Sequence, residues 1–217
     1  FEIGSSIMKI LAFETSTYAC SVALKIDGDI IHRFEISPRR HGELILSWAE
    51  ELLLEAGITR AELDAVAVSR GPGSFTSLRL GMSAAVAIAF ALEIPVIPIS
   101  SLHALAWEAV QKHGLPRILS VIDARMNELY CAAYALSAVD DEQHKILPLT
   151  QEKLTTPELI LLPDQFNKKD WVCAGNALTV KEFELAERFN KQAVILEPDC
   201  WPSARAVAAL SNTAEAI

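Results

Sequence analysis

The feature that most constrains this chain is an order of elements that occurs twice. From Met8, MKILAFET is an apolar β-type run, CSVALKI alternates, Asp27-Gly28 makes a turn and DIIHRFEI follows as a third strand. His41 to Ala56 sets Leu44, Ile45, Trp48, Leu52 and Leu53 at helical steps ahead of Gly57, and LDAVAVS is a fourth strand before an alanine-rich helix from about Leu78 to Leu92. PVIPIS adds a fifth strand and Leu102 to His113 a third helix. The second part then repeats the order. RILSVIDA and NELYCAAYAL form a hairpin, KILPL is a third strand, Pro157 to Leu162 a short helix, WVCAG a fourth strand and Thr179 to Phe189 a helix. An acid closes the first strand of each set, Glu14 and Asp123, and a glycine closes the fourth, Gly71 and Gly175, 57 and 52 residues later.

Two β-β-β-α-β-α units predict an α/β protein of two lobes, 8–100 and 101–200, with a helix over 201–217 packing back on the first lobe. Phe1 to Ile7 reads as a remnant ahead of a natural start at Met8, since it lacks the charge and length of a signal peptide. Two lobes of this kind are expected to face a cleft rimmed by the acidic turns and the glycine turns. At 217 residues the chain buries a core without disulfides or metal. Its four cysteines, Cys20, Cys131, Cys173 and Cys200, stand far apart with no C-x-x-C pair, as expected of a reducing, cytoplasmic setting.

The net charge of −9 opposes phosphate backbones, so a plain nucleic-acid-binding module is disfavoured. His32, His41, His103, His113 and His144 include no H-E-x-x-H and no pair at helical metal spacing, so no metal site is expected. Asp140-Asp141 reads as part of a solvated loop. The uncharged run Leu80 to Leu92 is shorter than the roughly 20 residues of a membrane span and reads as a buried helix.

Two segments have the composition of a phosphate cradle. Glu14-Thr15-Ser16 sits at a strand-to-strand turn, and Gly71, Gly73 and Ser74 lead into a helix N-terminus, where free N–H groups favour anions. Each also reads as an ordinary turn with hydroxyls bonded to their own backbone. The second is neither a P-loop nor a G-x-S-x-G elbow, so Ser74 is no nucleophile and no catalytic residue is assigned.

ILAFETSTYACSVAL, HGELILSWAEELL and above all VAVSRGPGSFTSLRLGMSAAVAIAFAL, followed by SSLHALA and VIDARMNELYCAAY, closely resemble the TsaB (YeaZ) family of bacterial tRNA threonylcarbamoyladenosine-biosynthesis proteins, from Met8 to about Ser211. The resemblance implies an actin-like, Hsp70-like (ASKHA) fold. It implies a non-catalytic partner of TsaD, the subunit that transfers threonylcarbamoyl to the tRNA adenosine beside the anticodon, with the ATPase TsaE as a further subunit. The histidine pair that marks TsaD is absent here, and Ser77 stands where the family commonly has a glycine after G-P-G-S-F-T.

On this reading the chain is a scaffold that meets TsaD through its first two helices, with Leu44, Trp48, Leu52, Met82 and Val86 at the contact, and pairs with itself when TsaD is missing. It touches tRNA only through the complex and requires no cofactor of its own; ATP or ADP with Mg²⁺ belongs to the assembly. The rival reading is an ATPase or phosphotransferase of the actin-like superfamily, with Glu14 or Asp123 holding Mg²⁺ beside Gly71 to Ser74. Old labels of glycoprotease find neither a metal site nor a nucleophile with its base.

Overall fold

The computed structural model describes residues 8–137, 145–160, 170–190 and 194–213. The expectations for Phe1 to Ile7, Asp140-Asp141, His144, the end of the 157–162 helix and the last residues of the 201–217 helix lie outside that set. The chain divides into two compact units. Unit 1 holds residues up to Gly71, Phe75–Ile99 and Ser203 onward; unit 2 holds Pro72–Ser74 and Ser100–Pro202.

In unit 1, strands β1 (Lys9–Glu14), β2 (Ala19–Ile26), β3 (Asp29–Ile36), β4 (Ala65–Gly71) and β5 (Val96–Ser100) form a sheet of order β3-β2-β1-β4-β5. β1 runs antiparallel to β2 and parallel to β4. A strand with neighbours on both sides and cover on both faces must be apolar throughout, and β1 is. Leu11 and Phe13 meet helices α1 (His41–Glu55) and α2 (Phe75–Leu92) in one cluster with Val22, Leu52 and Val66. Ile10 and Ala12, on the other face, are equally buried, and α5 (Ala204–Leu210) packs on β1 and β2.

Two polar contacts seat α5. The Ser21 hydroxyl accepts from the Ala204 amide at 3.1 Å, and Ser203 caps the helix by accepting from the Ala206 amide. At the other end the Lys25 ammonium donates to the Ala208 carbonyl at 3.3 Å and to Asn212 Oδ1 at 2.9 Å. Lys25 is buried, which lowers its pKa.

Unit 2 uses the same plan. Strands β6 (Arg117–Arg125), β7 (Glu128–Ser137), β8 (Lys145–Pro148), β10 (Trp171–Ala174) and β11 (Ile195–Glu197) run in the order β11-β10-β6-β7-β8, with β9 (Lys153–Thr155) paired to β7. First, second, third and fourth strands hold the same places in both sheets, as the repeated sequence pattern predicts, and β11, which that pattern lacks, takes the place of β5. Helix α3 (Ser101–His113) covers one face with Leu102 and Leu105 against Ile118 and Ile122, and Trp171, Leu129 and Phe189 fill the other.

Two expectations are corrected here, and two strands are added. The helix predicted over Thr179–Phe189 is two 3₁₀ turns, Asn176–Thr179 and Lys181–Phe183, followed by α4 (Leu185–Asn190). Glu184, at φ +49°, breaks the run by adopting the left-handed conformation between them. Pro157 opens a 3₁₀ turn, Pro157–Leu159, in place of a helix. The two three-residue strands, β9 and β11, were too short to leave an alternating pattern.

The fourth-strand glycines have a steric reason. Gly71 and Gly175 stand at φ +95° and +122°, where side chains are strained. A Cβ on Gly175 would lie 2.0 Å from the Val121 carbonyl oxygen and 2.8 Å from Leu105 Cδ2. Gly175→Ala is therefore expected to cost at least about 3 kcal/mol in chemical denaturation, while Gly28→Ala, with open space around it, changes stability by less than about 0.5 kcal/mol.

Candidate functional site

The turn between β1 and β2 is a closed polar knot. Glu14, Thr15 and Ser16 are fully or almost fully buried. Glu14 Oε1 accepts from the Ser16 amide at 2.6 Å, and Oε2 and the Ser16 and Ser69 hydroxyls are buried with it. Burial raises the Glu14 pKa, against the smaller opposing pull of Ser16 and Ser69. The Thr15 hydroxyl donates to the Ser77 carbonyl at 2.7 Å. His41, the first residue of α1, sets Nε2 3.1 Å from the Thr17 oxygen and 3.2 Å from the Ala19 oxygen. Two carbonyl acceptors require that this nitrogen carry the proton.

Beyond β4 the loop passes through Gly71, buried, and Gly73, half-buried, to Ser74, which is exposed just ahead of α2. In unit 2, Asp123 occupies the position equivalent to Glu14. Its Oδ1 accepts from the Arg125 amide at 2.8 Å and its Oδ2 pairs with the Arg125 guanidinium at 3.1 Å. Arg125, Met126 and Asn127 all take positive φ, so the β6–β7 hairpin closes tightly on that carboxylate.

An actin-like fold implies a Mg²⁺-nucleotide, and these residues do not fit one. A hard cation needs ionised oxygens that it can reach. Glu14 is desolvated inside unit 1, the Thr15 hydroxyl is committed to α2, and both Asp123 oxygens are engaged by its own hairpin. No group of three metal-ligating side chains exists among the described residues. The thiols are no better placed for nucleophilic work, since burial pushes Cys20 and Cys200 up to about 12 and raises Cys131 and Cys173.

What unit 1 does present is an apolar surface. Helix α2 buries only Gly81, Ala85 and Ala89. Met82, Val86 and Phe90, one row at four-residue steps, are 40, 54 and 85% exposed, and Phe75 is exposed at the start of the helix. Leu46 and Leu54 are exposed on α1. Between the two helices lies a groove of about 320 Å³ lined by Leu46, Ala49, Leu53, Leu63 and Ile88, with an Arg60–Glu50 hydrogen bond of 2.7 Å at its edge.

This revises the reading of α2 as a buried helix. It starts at Phe75, ahead of the uncharged run, and with 18 residues and a mean hydropathy of 1.6 it is long and apolar enough to cross a membrane by length and composition alone. The contact residues divide. Met82 and Val86 lie on the exposed face, Leu44 and Leu52 are core residues of unit 1, and Trp48 is half-buried against that core. The α1 wheel offers two apolar stripes, and the one with Leu44 and Leu52 faces the sheet. Phe90, Phe75, Leu46 and Leu54 were missed. Phe90 continues the Met82–Val86 row by one more step of four, which is the signal that finds it.

The family model described as "TsaD: tRNA N6-adenosine threonylcarbamoyltransferase" matches residues 34–214. The "tRNA threonylcarbamoyladenosine biosynthesis protein TsaB" of Escherichia coli (strain K12) is 39% identical over 168 residues, which cover 77% of this chain and 71% of that protein. The chain belongs to the TsaB (YeaZ) family. The solved structure "YeaZ from Pseudomonas aeruginosa" is 33% identical and superposes with a TM-score of 0.84 over 95% of this chain and 92% of that one. A second, described as an uncharacterized protein "with similarity to peptidase YEAZ from Pseudomonas aeruginosa", is 32% identical with the same TM-score, over 95% of this chain and 91% of that one. These likenesses carry the actin-like fold of the family to both units.

The buried acid gives a pH test. Folding raises the Glu14 pKa above its ordinary 4.5, so the folded chain keeps a proton that the unfolded chain releases, and stability falls as pH rises from about 4.5 toward the folded value. Glu14→Gln is uncharged throughout and keeps an oxygen for the Ser16 amide. Its melting temperature should match the parent's most closely at and below about pH 4.5 and gain on it steadily as the pH rises above that. A pH-independent offset between the two melting curves would show that Glu14 is not held neutral.

Proposed function

We propose that this chain serves tRNA threonylcarbamoyladenosine biosynthesis as a non-catalytic scaffold that binds the transferase TsaD, with TsaE as a further subunit. The observation that carries the reading is the exposed row Met82, Val86 and Phe90 on α2, flanked by Leu46 and Leu54 on α1. Contiguous apolar side chains left in water mark a surface that is covered in the working assembly. Two helices side by side are suited to receive two helices of a related subunit, ridge into groove. The closed turn at Glu14 supports a structural role for the residues that would hold a nucleotide in a catalytic relative.

The charge of −9 supports a division of labour in which the partner holds the tRNA. The same face joins two copies when TsaD is absent, since an apolar patch on a two-fold axis covers itself. The reading puts the complex in the cytoplasm, with α2 against protein and not lipid.

Size exclusion with light scattering on the chain mixed with its cognate TsaD tests this. The parent is expected to form a heterodimer, and to run as a dimer alone. Val86→Asp and Phe90→Asp, which place a charge in the row without touching the core, should weaken the heterodimer by at least about thirtyfold and leave the free chain monomeric. Folded variants that bind TsaD as the parent does would remove the scaffold reading.

A further inference from the structure

Helix α2 rests on its sheet through a smooth side. Gly81, Ala85 and Ala89, four residues apart, offer no bulky knob to a groove, and the larger Ile88 and Leu92, half-buried against the same core, both lie in the second half of the helix. A polar contact holds the first half. The buried Thr15 hydroxyl donates to the Ser77 carbonyl at 2.7 Å, a bond that joins the β1–β2 turn to the first third of α2. One turn further on, the helix comes so close that a Cβ on Gly81 would lie 2.5 Å from Thr15 Oγ1 and 3.3 Å from Thr15 Cγ2.

The same turn is tied to α1. His41 Nε2 meets the carbonyls of Thr17 and Ala19, and the turn is stiffened from within by the Glu14–Ser16 bond and by Thr17 Oγ1, which accepts from the Ala19 amide at 3.2 Å. Six residues therefore reference both helices that carry the exposed face.

We propose that Thr15 is a positioning residue: its hydroxyl sets the place of α2 relative to α1, and through it the match of Met82, Val86 and Phe90 to a partner. The inference rests on the docking reading above. Thr15 touches no partner itself, being fully buried. Its influence is on the geometry of the face, so it is separable from the chemistry of the face.

The test compares Thr15→Val, Thr15→Ser and Phe90→Asp for affinity to TsaD by titration calorimetry, each with its melting temperature. Thr15→Val keeps the shape and removes the donor; it should bind about tenfold more weakly. Thr15→Ser keeps the donor and should bind within about threefold of the parent, and in both cases the affinity should follow the hydroxyl and not the melting temperature. A folded Thr15→Val that binds as the parent does, or affinities that rank only with melting temperature, overturns the inference. Where Thr15→Val does not fold, Gly81→Ala carries the test, because its methyl displaces α2 from the turn without altering the exposed row; parent-like binding by that variant overturns the inference equally. Phe90→Asp separates the two readings. If it binds normally the docking face itself is wrong, whereas loss of binding there with none in Thr15→Val removes the positioning role alone.

Discussion

Helix α2 can approach the sheet of unit 1 only because Gly81, Ala85 and Ala89 project almost nothing. Close approach of a backbone to a sheet leaves the bulk of a helix's side chains pointing elsewhere, and here those side chains are apolar. A helix built in this way is stable on its inner side through dispersion and unfinished on its outer side. The exposed row, the groove against α1 and the demand for a cover all follow from three small residues.

The polar turn at Glu14 is the counterpart of that economy. Smooth packing gives little registry, and hydrogen bonds restore it. The acid of each unit stands at the same point of the same strand order, yet its fate differs. Glu14 is drawn inside and loses its solvent, whereas Asp123 pairs with Arg125 at a hairpin tip. Equivalent positions in a duplicated fold have been put to separate structural uses.

Most strands were legible because their signals are local: the Asp27-Gly28 turn, the alternation of CSVALKI, the apolar MKILAFET. The internal duplication was legible for the same reason, and the strand orders of the two sheets bear it out. What was not legible depends on partners distant in sequence. Hydropathy gives α2 an apolar character without saying whether sheet, solvent or another chain covers it, and it gives α1 two stripes without saying that Leu44 and Leu52 take the inner one. Glu14, Thr15 and Ser16 have the composition of an anion cradle; only burial, and the bond to Ser77 across 62 residues of sequence, shows them spent on the fold. Glu184 broke a well-patterned helix by a backbone conformation that its residue type does not announce.

The Lys25 ammonium, buried beneath α5 and answered by the Ala208 carbonyl and Asn212 Oδ1, makes the last described turn of the chain an integral part of the first unit. A cut placed before Asn212 would leave a solvent-starved cation with half its ligands, a far worse defect than the loss of a few terminal residues implies. Anyone dividing this protein into its halves must therefore carry the segment from Ser203 to Asn212 with the amino-terminal piece, by circular permutation or by a grafted linker; a simple scissile point near residue 100 strips α5 from the sheet of the first unit.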